Sequence, residues 1–141
     1  MPTFTGMETT VTIYEWKDLS AGVTTVFNFL GTEKFMSLTG ADQIVYDFRE
    51  GGEFKLSFRG RGEISGTIEE IIPYHRIVLN WNVTGFSRPD ETNTKVIILM
   101  TTSSGTTVSI EHSEIKNEEA AEAKRKAWRE ILTVLKKMLE E

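Results

Sequence analysis

The stretch GTIEEIIPYHRIVLNW, residues 66–81, alternates apolar and polar side chains, breaks at Pro73 and alternates again up to Trp81. A period of two marks a half-buried strand, because successive side chains leave opposite faces of an extended chain. In the first run Ile64, Gly66 and Ile68 oppose Glu63, Ser65, Thr67 and Glu69, and the alternation slips between Glu70 and Ile72. Pro73 has no N–H to give to a ladder, so the strand ends there. Ile77, Leu79, Trp81 and Val83 then form one apolar face, with Asn80 and Asn82 opposite. The stretch predicts two antiparallel strands joined at a corner.

The same period extends in both directions. Upstream, Ile44, Tyr46 and Phe48 oppose Asp47 and Arg49. Gly51 and Gly52 stand where a tight hairpin turn calls for positive φ, and Phe54, Leu56 and Phe58 resume the apolar face. Downstream, the polar loop GFSRPDETNT separates residue 84 from TKVIILMTT, and the turn SSG joins that run to TTVSIEHSEI, a second hairpin. Residues 8–16, ETTVTIYEW, are β-branched and aromatic and read as the first strand, which gives seven in all.

Three segments follow a helical period instead. Val23, Val26, Phe27 and Leu30 share one face, with Asp18 or Ser20 as the expected cap and Gly31 as the stop. TEKFMSLTG predicts a short second helix from Thr32 to Gly40. Asn117 caps a long final helix over 117–140, with Glu118, Glu119 and Glu122 near its positive end and Lys136 and Lys137 near its negative end. Its apolar stripe runs through Ala120, Ala121, Ala127, Trp128, Ile131, Leu132, Leu135, Met138 and Leu139, and Lys124 is the one polar member. Such a helix is about 36 Å long, against about 29 Å across a seven-stranded sheet. The expected fold is therefore α+β: a curved antiparallel sheet wrapped around the terminal helix, with a cavity where the two do not meet.

With 141 residues and no internal repeat or linker-like segment, residues 1–141 read as one domain. No apolar run approaches the roughly 20 residues of a membrane helix, and MPTFTGMETT lacks the features of a signal peptide, so a cytoplasmic location with no membrane partner is expected. The absence of cysteine excludes disulfides and thiolate chemistry, and the net charge of −5 opposes a nucleic-acid partner.

Motifs for chemistry are few. His75 and His112 lie on no predicted helix and form no metal motif, so no metal or cofactor is expected. His112 alternates onto the inner face with Val108 and Ile110, where a hydrogen-bonded core or rim histidine is preferred to a proton carrier. GRGEISG, residues 60–66, has neither the spacing nor the following helix of a dinucleotide loop. Glu63, Glu69, Asp47 and Glu111 fall mostly on the outer face, and no catalytic set emerges. The basic run Lys124, Arg125, Lys126 and Arg129 reads as a solvated helix face supported by Glu122 and Glu130. Tyr14, Tyr46, Trp81 and Trp128 are the aromatics suited either to a pocket or to the core.

The element order resembles the helix-grip fold of the START-like (SRPBCC) superfamily, which includes the birch pollen allergen type and polyketide cyclases. Within it, four stretches resemble the activator of heat-shock protein 90 ATPase homologue family: residues 47–52 with their acidic residue and paired glycines, the opening stretch 66–81, the hairpin from Gly105 to Ser113, and Ala127-Trp128 with Leu132 and Leu135. Two departures stand out. Phe35-Met36-Ser37-Leu38 lies where the family often has a tryptophan, and Ala127 replaces the usual glycine, so the pocket mouth and the sheet-helix contact are expected to differ.

The resemblance and the expected cavity together imply non-catalytic binding of a small hydrophobic or amphipathic ligand, lined by Tyr46, Phe58, Trp81, His112, Trp128 and Leu132. It also leaves open a stress-related co-chaperone with a chaperone partner, and a polyketide cyclase-like enzyme, whose mark would be a raised carboxyl or lowered histidine pKa in the cavity. If Val96, Ile98 and Met100 face inward as the resemblance implies, Ile97 and Leu99 face outward. With Val78 they would make an apolar patch for a homodimer.

Overall fold

The computed structural model describes residues 10–86, 93–102 and 104–140. The order is β1 (Val11–Leu19), α1 (Val23–Leu30), α2 (Glu33–Ser37), β2 (Gln43–Tyr46), β3 (Glu53–Phe58), β4 (Gly62–Ile72), β5 (Arg76–Thr84), β6 (Thr94–Thr102), β7 (Thr106–Ile115) and α3 (Glu118–Leu139). The strands form one antiparallel sheet in the order β1-β7-β6-β5-β4-β3-β2. Hairpins and short connections make every neighbour except the pair β1 and β7, so α1 and α2 carry the chain from one edge of the sheet to the other. This is the expected helix-grip architecture.

Local chemistry explains where the elements depart from expectation. β1 continues to Leu19 because its ladder with β7 runs on to Leu19↔Thr106, so neither Asp18 nor Ser20 caps α1. Thr107 Oγ1 donates to Asp18 Oδ1, and the N-cap of α1 is Gly22, with no side-chain bond. Residues 8 and 9 of the expected strand, 87–92 of the polar loop and Ser103 of the SSG turn lie outside the described residues. Thr32, expected as the first residue of the second helix, is the N-cap of α2, and the helix stops at Ser37, three residues before Gly40, whose φ of +89° turns the chain. β2 ends before Phe48, because Asp47 N–H already bonds to Glu53 O and Gly52 N–H to Arg49 O across the turn. Of the two turn glycines only Gly51 has positive φ (+81°). Gly52 is needed for a different reason: a Cβ there would lie 2.0 Å from the Asp47 carbonyl oxygen. The slip in the opening stretch is a register shift between Ile68 and Glu70, and β4 stops at Ile72, one residue before Pro73.

The inner face of the sheet is apolar throughout its centre, with Leu56, Ile68, Ile77, Leu79, Val96 and Ile110 all buried. α3 covers it unevenly. Its backbone lies closest to β1 and β7, held there by two bonds from Arg129 to Glu15 (3.1 and 3.2 Å), by Lys136 Nζ on Asp18 O (2.9 Å) and by Ser20 N–H on Glu140 (2.7 Å). The helix therefore leans toward one edge, and large side chains bridge the remaining gap to β5 and β3. On its outer side, Arg125 rather than Lys126 pairs with Glu122, and also with Glu118. Lys124, read from sequence as part of the solvated run, is buried.

The outer face also differs from expectation. Val78 and Ile97 are paired as anticipated, but Val78 is buried, hemmed between its cross-strand neighbours Ile97 and Glu70. Ile97 and Leu99 are half-buried. The most exposed apolar side chains there are Tyr14 (66%) and Trp16 (63%) on β1, so Tyr14, considered as a pocket residue, points away from the interior.

Trp128 is 4% exposed and meets Trp81 at 5.4 Å between ring centroids, the main bridge across the helix-sheet gap. Trp128→Ala is expected to lower the unfolding free energy by about 3–5 kcal/mol, measured by urea denaturation. A loss under about 1 kcal/mol would show that the ring faces open space.

Candidate functional site

Where α3 leans away from β3, β4 and β5, a pocket of about 320 Å³ remains. That volume is at the lower end of the roughly 300–1,000 Å³ usual for small-molecule sites. Phe58 (β3), Trp81 and Val83 (β5) and Trp128 and Ile131 (α3) form its apolar wall, and His112 (β7) lines it beside them. Their convergence follows from register: inward residues of neighbouring strands lie side by side, and Trp128 and Ile131 are three apart on the inner stripe of α3. Arg61, from the turn after β3, and the exposed Ala123 and Ala127 stand at the mouth.

Four of the six side chains expected to line the cavity do so: Phe58, Trp81, His112 and Trp128. Tyr46 and Leu132 lie elsewhere. Tyr46 belongs to the far edge strand, beside α1; its hydroxyl donates to Leu30 O at 2.8 Å, its ring meets Phe48, and burial pushes its phenol pKa upward. Leu132 sits one turn beyond Trp128, where it is only 1% exposed in the core. Three polar lining residues, Thr39, Arg61 and Lys124, were not anticipated. The helical spacing held the signal for Lys124, the one polar residue on the apolar stripe. Nothing comparable marks Arg61.

A hydrogen-bond chain forms the polar floor. The Trp128 indole N–H donates to His112 Nδ1 at 3.0 Å, His112 Nε2 lies 2.9 Å from Thr94 Oγ1, and Thr94 Oγ1 donates to Trp81 O at 2.6 Å. An indole nitrogen can only donate, so Nδ1 accepts and the proton of the neutral ring sits on Nε2, directed at Thr94. Burial first, and the charge of Lys124 second, lower the His112 pKa from 6.5 to about 3. The ring is neutral with both nitrogens engaged, the core role preferred from sequence, and it offers a ligand neither a proton nor a lone pair. Phe54 and Trp81 pack against each other with ring centroids 5.5 Å apart and planes tilted by 38°.

The geometry has clear relatives. Residues 20–140 match the family described as Activator of Hsp90 ATPase homolog 1-like protein. The chain belongs to this family. Among solved structures, protein CV1439 from Chromobacterium violaceum is similar at 22% identity and a TM-score of 0.78, over 92% of this chain and 97% of that one. The Aha1 dimer from Colwellia psychrerythraea shares 22% identity with a TM-score of 0.73, over 92% and 96%. CalU16 from Micromonospora echinospora shares 22% with a TM-score of 0.67, over 89% and 73%. At these identities the structures bear on the fold. No curated protein matches the sequence significantly.

Both departures from the family pattern can be placed. Phe35 and Met36 are buried in the core, and the methyl group of Ala127 is at the pocket mouth. Among the described residues no group of carboxylates or histidines is arranged to hold a metal, and no helix is long and apolar enough to cross a membrane.

Because the folded-state pKa of His112 is depressed, the unfolded chain takes up a proton below about 6.5 that the folded chain refuses until about pH 3. This contribution is present above 6.5 and lost progressively as the pH falls. The unfolding free energy is expected to be about 2 kcal/mol lower at pH 5 than at pH 7. His112→Gln should flatten that slope, and the imidazole NMR signals of His112 should show no titration down to pH 4. A titration midpoint near 6 would contradict the buried, doubly bonded ring.

Proposed function

We propose that the protein binds a small apolar or amphipathic molecule, without chemical turnover, in the pocket between α3 and β3–β5. The observation that carries this reading is an open pocket of about 320 Å³ whose wall is aromatic and aliphatic, above a polar floor whose hydrogen bonds are already made within the protein. Such a site holds its occupant by contact and exclusion of water. A cyclase-like reading would be marked by a shifted pKa in the cavity, and His112 does show one. Yet burial is its main cause, both ring nitrogens are occupied, and among the described residues no carboxylate lines the pocket. The lowered pKa thus reads as a consequence of packing. The co-chaperone reading rests on the family's description, and stimulation of a chaperone ATPase at saturating concentration is its test.

The pocket reading is tested with a series of six- to ten-carbon alcohols, acids and amines, following the indole NMR signals of Trp81 and Trp128 with the exposed Trp16 as reference. Binding should shift the first two and spare the third. Ala127→Trp, at an exposed position on the mouth, should weaken binding at least about tenfold while the melting temperature stays within a few degrees. If no member of the series moves Trp81 or Trp128, the reading fails.

A second reading concerns assembly. Tyr14↔Glu111↔Ile97↔Val78 and Trp16↔Ser109↔Leu99 are cross-strand rows on the outer face. Tyr14 and Trp16 thus extend the anticipated Val78, Ile97 and Leu99 patch to the sheet edge. Exposed aromatic stripes of this kind fit a second copy related by a twofold axis, and the Colwellia relative is described as a dimer. Light scattering over a concentration series should give twice the chain mass, and Trp16→Glu should return it to the monomer. A monomer throughout would remove this reading.

A further inference from the structure

The outer face of the sheet carries a pattern that repeats about β6. Outward side chains of neighbouring strands stand side by side, about 4.8 Å apart, and the register lines up one row of five from β1 to β4: Trp16↔Ser109↔Leu99↔Arg76↔Ile72. β6 supplies the centre of that row, with two of its strands on each side. From either end the row gives the same chemistry: an exposed apolar side chain (Trp16 at 63%, Ile72 at 42%), then a polar one, then Leu99 in the middle. The adjoining row, Tyr14↔Glu111↔Ile97↔Val78↔Glu70, places an acid on the β7 side. The cation Arg76 lies on the β5 side, 3.1 Å from Glu70. The edge of β1 offers less to a partner. There α3 already ties the backbone, Asp18 O to Lys136 Nζ (2.9 Å) and Ser20 N–H to Glu140 (2.7 Å), so the helix stands in the way of an added strand.

We infer that a second copy docks on this face with the twofold axis running along β6, so that β1 of each copy lies over β4 of the other and β7 over β5. This rests on the assembly reading above and specifies which residues of the two copies meet. A half-turn about β6 lays each row on its own reverse. Trp16 falls on the partner's Ile72 and Leu99 on the partner's Leu99, while Tyr14 falls on the partner's Glu70, whose carboxylate can accept from the phenol. Glu111 comes within one row of the partner's Arg76, whose five N–H donors can serve Glu70 and Glu111 together. Stacked sheets lie about 10 Å apart, a gap that an arginine and a glutamate span from opposite sides. A twofold axis laid across the strands would instead set Glu111 beside the partner's Glu111 and Arg76 beside the partner's Arg76. Like charges across an interface oppose association, so the charges select the axis along β6.

The test is the dimerisation constant of the full chain, measured by analytical ultracentrifugation at pH 7, with the fold of every variant checked by circular dichroism. Glu111→Arg and Arg76→Glu should each weaken the dimer at least about tenfold, because each sets like charges against one another across the axis. An equimolar mixture of the two variants should form a mixed dimer within about threefold of the unaltered chain's affinity, since both cross-pairs are then opposite in sign. Ile72→Glu, which puts a charge against the partner's Trp16, should also weaken the dimer at least about tenfold. Val45→Glu, which changes an exposed apolar residue on β2 outside both rows, should leave it unchanged. A dimer that is lost in Trp16→Glu but kept in Ile72→Glu, Glu111→Arg and Arg76→Glu would overturn the β6 axis while leaving the assembly reading standing. Single charge variants that weaken the dimer and are not rescued by mixing would overturn the pairing of Glu111 with Arg76. A monomer at every concentration of the unaltered chain would overturn the assembly reading and the axis with it.

Discussion

The indole N–H of Trp128 donates to a histidine that cannot return a proton, and the setting of α3 on the sheet depends on that bond. The contact is buried, so breaking it would leave a donor and an acceptor without water. It continues through Thr94 to the carbonyl of Trp81, which links α3 to β7, β6 and β5 in one chain of fixed donors and acceptors. A hydrophobic stripe alone would let a helix roll by a fraction of a turn at modest cost, because apolar burial is non-directional. The hydrogen bond removes that freedom. With Trp128 fixed, the positions around it on α3 are fixed too: Lys124 one turn before and Ile131 and Leu132 one turn after.

The pocket is a geometric result of the same constraint combined with the ties at the other end of the helix. Arg129 and Lys136 hold the C-terminal half of α3 to β1, and Glu140 holds its end to Ser20 just beyond that strand. These exposed contacts each contribute little energy, but they favour one lean of the helix. The sheet curves away beneath the N-terminal half, and Trp81, Trp128 and Phe54 span much of the gap. Space that three large rings do not fill, under a helix that cannot roll to fill it, stays open. The small side chains Ala123 and Ala127 keep the mouth clear.

Most of the fold was legible because a sheet with one buried face writes its period directly into the sequence. The slip at Glu70, the stop at Pro73 and the cap at Asn117 all appear in the structure at or within a residue of those positions. Errors arose where tertiary pairing outweighed a local signal. Asp18 has the chemistry of a helix cap, but a ladder with β7 captured it as a strand residue. Gly51 and Gly52 look alike in sequence, yet one serves backbone conformation and the other clearance from a carbonyl. The pocket was half legible. Alternation correctly turned Phe58, Trp81 and His112 inward, but it cannot say which inward residues meet packed atoms and which meet space, and so Tyr46 and Leu132 were grouped with them. That distinction depends on the lean of the helix, set by contacts between residues more than 100 positions apart, such as Glu15 and Arg129.

Lys124 shows how closely the two readings of a residue can lie. As a member of a basic run it belonged to solvent, and as a point on a 3.6-residue stripe it belonged to the core. The structure follows the stripe, because side-chain direction on a helix is set by angular position and not by the character of sequence neighbours. Once placed there, its charge has a defined effect. Together with burial it holds His112 in the neutral form that the Trp128 indole requires, since a protonated ring would set one donor against another. The cation at the pocket wall and the neutral ring on its floor are therefore parts of one electrostatic arrangement. The polar floor is therefore satisfied from within.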